Sequence, residues 1–234
     1  AQPDARLVAG GTDLLPNLKH RIERPQTVIS LHKIKSLKGV TQTHEGISIG
    51  AMTTLSDVAD ADVIGRSYPA LASAIRTIAT STIQEMGTLG GNVMLDTRCR
   101  YLNQPDGWRN AIGGCLKCEG AVCHVAQTSH NCYAAHSADT VPVLWLMGAE
   151  LELHSLNGQR RVSLSDFYSS DGIERVNLER GEVLTAIHLP HPRGFVAHRK
   201  LRMRGAIDYP LLLCAVRREG SGATAVLSAI GPKP

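Results

Sequence analysis

Residues 8–14 read Val-Ala-Gly-Gly-Thr-Asp-Leu and contain the pattern that decides the fold. A short apolar run from Leu7 to Ala9 predicts a strand, and a helix is predicted from Leu14 to Arg21. Glycines between a strand and a helix let successive backbone N–H groups point at one spot, and the helix start adds partial positive charge. The stretch therefore predicts a turn that can hold a phosphate.

A second glycine motif, Met-Gly-Thr-Leu-Gly-Gly-Asn, occupies residues 86–92. Neither motif matches G-x-G-x-x-G, so a Rossmann dinucleotide site is not indicated. Taken singly, each is more often a plain tight turn. Two such turns, each with a hydroxyl residue beside the glycines, favour a pyrophosphate ligand. We expect a side chain at Gly90 to occupy the place of the phosphate.

The rest of the chain alternates strand-like and helix-like runs without a repeat, which predicts an α+β domain. Further strands are predicted at Thr27–Leu31, Ile47–Ala51, Glu150–Ser155, Arg161–Leu164, Val183–Leu189 and Phe195–Met203, with an apolar pair at Pro210–Val216 and Thr224–Ile230. Further helices are predicted at Leu55–Ala61, capped by Ser56 and Asp57, and at Tyr68–Ala79 and Thr140–Gly148.

Composition excludes two broad classes of function. The formal charge of +4 on 234 residues is scattered, so a nucleic-acid-binding surface is not indicated. No run approaches the roughly 20 apolar residues that a membrane span needs, since Val141–Ala149 is short and contains Pro142. With no signal-peptide pattern either, we expect a soluble, cytoplasmic protein.

Residues 96–138 show no sustained period of either kind, yet hold five of the six cysteines. An irregular segment of this length needs something other than an apolar core to order it, and metal–thiolate bonds can do so. Only one C-x2-C pair occurs, Cys115 and Cys118, whereas zinc ribbons have two. The wide, uneven spacing favours an iron–sulfur cluster. Zinc and unliganded thiols remain alternatives, and Cys214 is predicted to be a buried small apolar residue.

Four motifs resemble, in order along the chain, the FAD-binding medium subunits of the molybdenum hydroxylases, which include xanthine dehydrogenase and aerobic carbon monoxide dehydrogenase. They are Gly10–Leu14, Ile49–Thr54, Gly87–Asn92 and Gly181–Leu184. The resemblance implies a two-part, PCMH-like FAD-binding domain over residues 1–207. Residues 208–234 would then begin an α+β C-terminal domain that continues beyond this sequence.

The cysteine-rich segment resembles the insertion found in β subunits of 4-hydroxybenzoyl-CoA reductases, through residues 96–101 and 108–112. That resemblance implies a [4Fe-4S] cluster bound by Cys99, Cys115, Cys123 and Cys132, with Cys118 as an additional cysteine.

The same resemblance assigns the flavin contacts. The FAD pyrophosphate and ribityl chain would be held by the two glycine motifs, at Ala9, Gly10, Gly11, Thr12, Asp13, Leu14, Gly87, Thr88, Gly90, Gly91 and Asn92. Ala51, Thr53 and Ala79 would line the cofactor. Asp139 would bind ribityl hydroxyls, and Leu184 and Lys200 would lie near the isoalloxazine. Gln84 and Glu85 replace an Arg-Asn pair common in the family, which puts one cationic phosphate or partner contact in question.

The implied function is electron transfer without substrate chemistry on this chain. A low-potential donor such as ferredoxin would feed the cluster and then FAD. A small [2Fe-2S] subunit would carry the electrons on to a large molybdenum subunit, which reductively dehydroxylates 4-hydroxybenzoyl-CoA to benzoyl-CoA. Two alternatives are an FAD subunit of the carbon monoxide or xanthine dehydrogenase type without a cluster, and a zinc-stabilised scaffold module.

Overall fold

The computed structural model describes residues 4–234. The strands are β1 Ala5–Val8, β2 Thr27–Ser30, β3 Val40–Thr43, β4 Gly46–Gly50, β5 Glu150–Ser155, β6 Gly158–Ser163, β7 Val183–Pro190, β8 Phe195–Leu201, β9 Leu212–Glu219 and β10 Gly222–Ser228. The helices are α1 Leu14–Lys19, α2 Leu55–Asp60, α3 Asp62–Ser67, α4 Pro69–Arg76, α5 Ser81–Met86, α6 Leu89–Val93, α7 Asp106–Ala111, α8 Val141–Leu146 and α9 Leu164–Phe167, with a 3-10 turn at Lys35–Leu37.

The strands form three sheets. β1 and β2 pair in parallel as a small separate sheet. Five antiparallel strands in the order β3-β4-β7-β5-β6 form the main sheet, and β10-β9-β8 form a third, also antiparallel. Helices α4 and α8 pack against the third sheet, and α6 and α9 contact β7 and β6 of the main sheet. Their buried apolar residues belong to one continuous core with those of both sheets.

The core follows the apolar periodicity of the sequence. On α4, Leu71, Ala74 and Ile75 are fully buried on one face, and Pro69 occupies the first turn, where its missing N–H costs nothing. Alternate residues of β5, including Leu151 and Leu153, are buried on one side of the sheet. The sequence patterns therefore place the same residues in the core that the structure does.

Most elements were predicted, and the errors concern short ones. Strand β3 and helices α3, α5, α6, α7 and α9 were not predicted, because none of them lies in a segment with a clear apolar pattern. The helix α2 is capped by Thr54, whose hydroxyl accepts from the N–H of Asp57. The predicted caps Ser56 and Asp57 are therefore wrong by two residues or more.

Residues 96–138 are irregular, as predicted. Apart from α7, they contain only isolated bridges, such as those of Arg98 with Ala135 and of Cys115 with Cys118. The predicted domain boundary at residue 207 remains a prediction, and β8 and β9 pair across it. None of the helices within residues 4–234 combines the length and apolar character that a membrane crossing needs.

Candidate functional site

The two glycine motifs lie against each other. A Cβ atom on Gly10 would stand 1.9 Å from the carbonyl oxygen of Met86, so only glycine allows this approach. One on Gly87 would come within 3.4 Å of the Thr12 hydroxyl, and one on Gly91 within 3.8 Å of the Ala9 methyl group. The fold therefore brings together two turns that are separated by about seventy residues in the sequence.

The first turn has the conformation that its glycines predicted. Gly11 has a φ of +73°, in the left-handed region that favours glycine. The carbonyl of Gly11 accepts from the N–H of Leu15, in the first turn of α1. The Asn17 side-chain amide donates to the Asp13 carboxylate at 3.1 Å. The turn thus leads directly into the helix.

The second turn is fixed by its own hydroxyl and by the loop after β4. Thr88 is buried, and its hydroxyl accepts from the N–H of Gly91 at 3.0 Å, which caps α6. The N–H of Gly90 donates to the Ala51 carbonyl at 2.9 Å, and that of Leu89 to the Thr53 carbonyl at 3.0 Å. These bonds attach the turn to the edge of the main sheet.

Gly90 does not act as the sequence suggested. A Cβ there would lie 2.6 Å from the Ala51 carbonyl and 2.7 Å from its methyl group. The expectation that a Gly90 side chain would occupy the place of a phosphate is therefore wrong, because the position faces the loop at Ala51. Gly91, in contrast, is exposed at the start of α6.

A buried ion pair joins two more of the predicted flavin residues. Lys200 on β8 lies 2.7 Å from Asp139, with side chains only 3% and 8% exposed. The Lys200 ammonium also donates to the carbonyl of Thr77, two residues before Ala79, which has a φ of +41°. Burial raises the pKa of Asp139 above its usual range, although the Lys200 charge opposes this. The structure thus brings the predicted Asp139 and Lys200 together near Ala79.

Three other predicted flavin residues have evident structural contacts. The Asn92 side-chain oxygen accepts from the Thr140 hydroxyl at 2.6 Å, which ties α6 to α8. The Thr53 hydroxyl bonds to the backbone of Gly39 and Gly50. Leu184 is 5% exposed and packs in the main core. These residues shape the site, and their contact with a cofactor remains a prediction.

Four cysteines surround one cavity in the irregular segment. Cys99, Cys115, Cys123 and Cys132 line one small cavity of about 10 Å³. Cys118 is absent from that lining and closes a tight turn instead, in which it exchanges backbone hydrogen bonds with Cys115. The four residues are the predicted cluster ligands.

Backbone N–H groups point at several of these sulfurs. Burial favours the neutral Cys123 thiol, but N–H bonds from Tyr133, Ala126 and Val125 together lower its pKa below the usual value. Burial raises the pKa of Cys115 and of Cys132. Hydrogen bonds to sulfur stabilise thiolates and are one of the factors that set cluster potentials. Burial thus favours the neutral thiol at Cys115 and Cys132, whereas the backbone donors favour the thiolate at Cys123.

The geometry is unlike that of a single-ion site. Among residues 4–234, no group of three or more His, Cys, Asp or Glu side chains is close enough to hold one metal ion. A zinc ion needs all four sulfurs at about 2.3 Å. The loop histidine His124 is already engaged, because its Nε2 lies 2.7 Å from the Gly114 carbonyl.

Sequence reasoning missed the cation beside this cavity. The Lys117 ammonium donates to the Asp96 carboxylate at 2.7 Å, to the Thr97 hydroxyl at 2.6 Å and to the Gly172 carbonyl at 2.8 Å. It fastens the turn between Cys115 and Cys118 to the loop that covers Cys132. In the sequence, Lys117 is visible only as a lysine between Cys115 and Cys118, and a lysine at that position does not by itself predict an interaction.

The fold brings two glycine turns together within one α+β domain. Residues 1–192 match the family described as the FAD binding domain in molybdopterin dehydrogenase, and the chain belongs to this family. The α+β, PCMH-like fold class predicted above is thereby confirmed.

Named relatives agree with this assignment. The chain is 32% identical over 245 residues to the aldehyde oxidoreductase FAD-binding subunit PaoB of Escherichia coli strain K12, covering 99% of this chain and 76% of that protein. It is 31% identical over 217 residues to the xanthine dehydrogenase FAD-binding subunit of Escherichia coli O157:H7, covering 91% of this chain and 61% of that relative's length. The structure superposes on a chain of carbon monoxide dehydrogenase from Oligotropha carboxidovorans with a TM-score of 0.76 and 28% identity, covering 99% and 69% of the two chains.

Proposed function

We propose that the chain is the electron-transfer subunit of a molybdenum-containing reductase, with FAD at the joined glycine turns and a [4Fe-4S] cluster in the cysteine-lined cavity. The observation that carries the proposal is the convergence of four cysteines on one cavity in a member of an FAD-binding family. FAD exchanges electrons singly or in pairs, whereas a cluster exchanges them one at a time, so the two groups together supply a junction between electron carriers.

The chain's own residues bind and orient these groups. The backbone N–H groups of the two turns would hold the diphosphate, at Gly10 and Gly11 in the first turn and near Gly91 in the second. The buried Asp139–Lys200 pair would offer a carboxylate for ribityl hydroxyls and a fixed cation. The remaining predicted contacts, with the turns and with Ala51, Thr53, Ala79 and Leu184, complete the proposed flavin site.

In the second site, Cys99, Cys115, Cys123 and Cys132 would supply the four thiolates. The backbone donors lower the pKa of Cys123, and the charge of Lys117 opposes the rise that burial causes in the pKa of Cys132. No group on this chain is assigned to substrate chemistry. Its contribution is the position, hydrogen bonding and charge around the electron carriers.

We further propose that the partners are a large molybdenum-cofactor subunit, a small [2Fe-2S] subunit and a ferredoxin-like donor. The substrate proposed is 4-hydroxybenzoyl-CoA, which takes up two electrons and two protons and yields benzoyl-CoA and water. The support for this substrate is the resemblance of the cysteine-rich insertion. The similar proteins named above act, by their names, on xanthine, aldehydes and carbon monoxide.

Anaerobic purification of the complex through a tag on this chain tests the proposal. We expect FAD, four irons and four acid-labile sulfides in excess over those of the partner subunits, and benzoyl-CoA formation with a low-potential reductant. A Cys123→Ser complex is the matched control for the iron count. Flavin without extra iron would favour the subunit type that lacks a cluster, and zinc without flavin would favour the scaffold. Turnover of xanthine or carbon monoxide instead would refute the substrate.

A further inference from the structure

The first glycine turn belongs to a part of the molecule with little core of its own. β1 and β2 form a sheet of two strands, and Leu7, Leu15 and Ile29 are 42%, 48% and 45% exposed. A two-stranded unit with so little buried apolar surface is marginally stable. The position of the turn therefore depends on contacts with other segments.

The cysteine-rich segment makes one such contact at the start of α1. Arg98 immediately precedes Cys99, and its backbone is fixed by hydrogen bonds in both directions with Ala135, at 2.8 and 2.7 Å. The Arg98 guanidinium forms an ion pair with Asp13 of the glycine turn and lies 4.3 Å from the centre of the Tyr209 ring. A residue beside a cavity cysteine thus holds the turn directly.

The same segment also contacts the chain just after α1. Arg109 on α7 is 2% exposed, and its guanidinium donates to the Arg21 carbonyl at 2.9 Å. Asp106, which pairs with Arg109 at 3.1 Å, also pairs with Arg24 at 2.6 Å. The helix α1 is therefore held at both ends by residues of the cysteine-rich segment.

We propose that residues 98–109 clamp α1 and that Arg98 is a positioning residue, through which occupation of the cysteine-lined cavity strengthens FAD binding. Fixing Cys99 fixes the backbone of Arg98, and the guanidinium then holds Asp13 and the turn in the flavin-binding conformation. By linkage, FAD binding strengthens retention of the cluster by the same factor. The clamp rests on the contacts above, and its link to iron rests on the proposed cluster.

The experiment measures FAD affinity of the deflavinated chain by flavin fluorescence, with and without iron and sulfide. The variants are Arg98→Gln, Arg98→Lys and the matched control Arg100→Gln, which alters an exposed arginine on the other side of Cys99. We expect iron loading to tighten FAD binding several-fold in the unaltered chain and in Arg100→Gln. Arg98→Gln should bind FAD more weakly and lose the response to iron, and Arg98→Lys should restore part of both.

Each remaining outcome is decisive. If Arg98→Gln binds FAD as tightly as Arg100→Gln, the clamp is overturned. If iron and sulfide bind and FAD affinity is unchanged, the link between the sites is overturned although the cluster stands. If no iron binds, the proposed cluster fails, whereas the effect of Arg98→Gln on FAD affinity still tests the clamp. If Arg98→Gln misfolds, Asp13→Asn breaks the same ion pair in another way. If the losses of FAD affinity caused by Asp13→Asn and Arg98→Lys add in the double variant, coupling between Asp13 and Arg98 is refuted.

Discussion

At the scale of single residues, Gly10 is required by contact and Gly11 by conformation. Gly11 adopts a positive φ, whereas Gly10 lies so close to the Met86 carbonyl that no side chain fits. The two requirements have different consequences. A side chain added at Gly11 strains one turn. A side chain added at Gly10 separates the two turns that form the proposed diphosphate site.

We therefore expect Gly10→Ala to reduce FAD content strongly and to lower stability by about 1–3 kcal/mol, as overpacking does. Gly65→Ala is the matched control, because a Cβ there meets nothing within 4 Å and lies in helix α3. The flavin-to-protein ratio and the thermal midpoint measure both effects. Full flavin content in Gly10→Ala would show that the turns need not touch.

The cysteines also differ individually. Cys123 lines the cavity and is buried, whereas Cys118 closes a turn through its backbone, which a substitution of the side chain leaves intact. We expect Cys123→Ser to lose iron and Cys118→Ser to retain it, with Cys214→Ser as a control outside the segment. Iron and sulfide counts on anaerobically prepared protein measure this. Equal losses in Cys118→Ser and Cys123→Ser would mean that Cys118 is a ligand.

At the scale of elements, segments with a clear apolar pattern were predictable and segments without one were not. Helix α4 repeats its apolar residues over more than two turns, so Leu71, Ala74 and Ile75 reveal its buried face. Helix α6 has five residues, two of them glycine, and exists because Thr88 caps it and Ala51 accepts its N–H bond. Such a helix depends on tertiary contacts, which a single sequence does not display.

The candidate site divides in the same way. Glycine and cysteine have few ordinary reasons to cluster, so the two turns and the cysteine-rich segment were predictable from residue type. The choice of four of its five cysteines came from the family resemblance. Arg98 and Lys117 were not, because an arginine or lysine in an irregular segment is usually solvated. Their partners Asp13 and Asp96 are brought near only by the fold.

One junction between elements gives a pH prediction. His136 connects the cysteine-rich segment to the end of β10, because its N–H donates to the Gly231 carbonyl and its carbonyl accepts from Ala229. The imidazole ring of His136 packs against the ring of Tyr168, with 4.5 Å between the ring centres. Neither nitrogen of the imidazole has a hydrogen-bond partner. Burial, aided by the charge of Arg175, lowers the pKa of His136 to about 3.

The unfolded chain takes up a proton at this histidine below about pH 6.5, whereas the folded chain does not until about pH 3. The contribution of neutral His136 to the free energy of unfolding is therefore constant above about pH 6.5 and decreases as the pH falls below that value. Between pH 7.5 and 5.5 we expect a loss of about 1.4 kcal/mol from this residue. His136→Phe should lack that part of the loss, unlike the exposed control His44→Gln. Denaturant unfolding at both pH values measures the loss of stability. Equal losses in the unaltered chain, His136→Phe and His44→Gln would contradict the prediction.

At the scale of the whole molecule, residues 96–138 are an ordered segment that no sheet organises. The Lys117 hydrogen bonds and the two contacts with α1 hold this segment, and we propose that the cavity cysteines add to its order by binding the cluster. The main core, built on β4, β5 and β7, does not include the cavity cysteines. The molecule thus combines an apolar core with a segment whose stability we attribute to bound metal.

Removal of iron should therefore act locally. We expect chelation under anaerobic conditions to increase amide hydrogen exchange within 99–132 by at least tenfold, and within α1 by a smaller factor. Exchange in β5 and β7 should stay unchanged, because their hydrogen bonds lie in the apolar core. Mass spectrometry of peptic fragments resolves the three regions. Cys214→Ser, treated in the same way, is the control for nonspecific effects of thiol loss. Uniform acceleration across β5 and β7 would mean that the cavity supports the entire fold, and unchanged exchange in 99–132 would mean that metal does not order the segment.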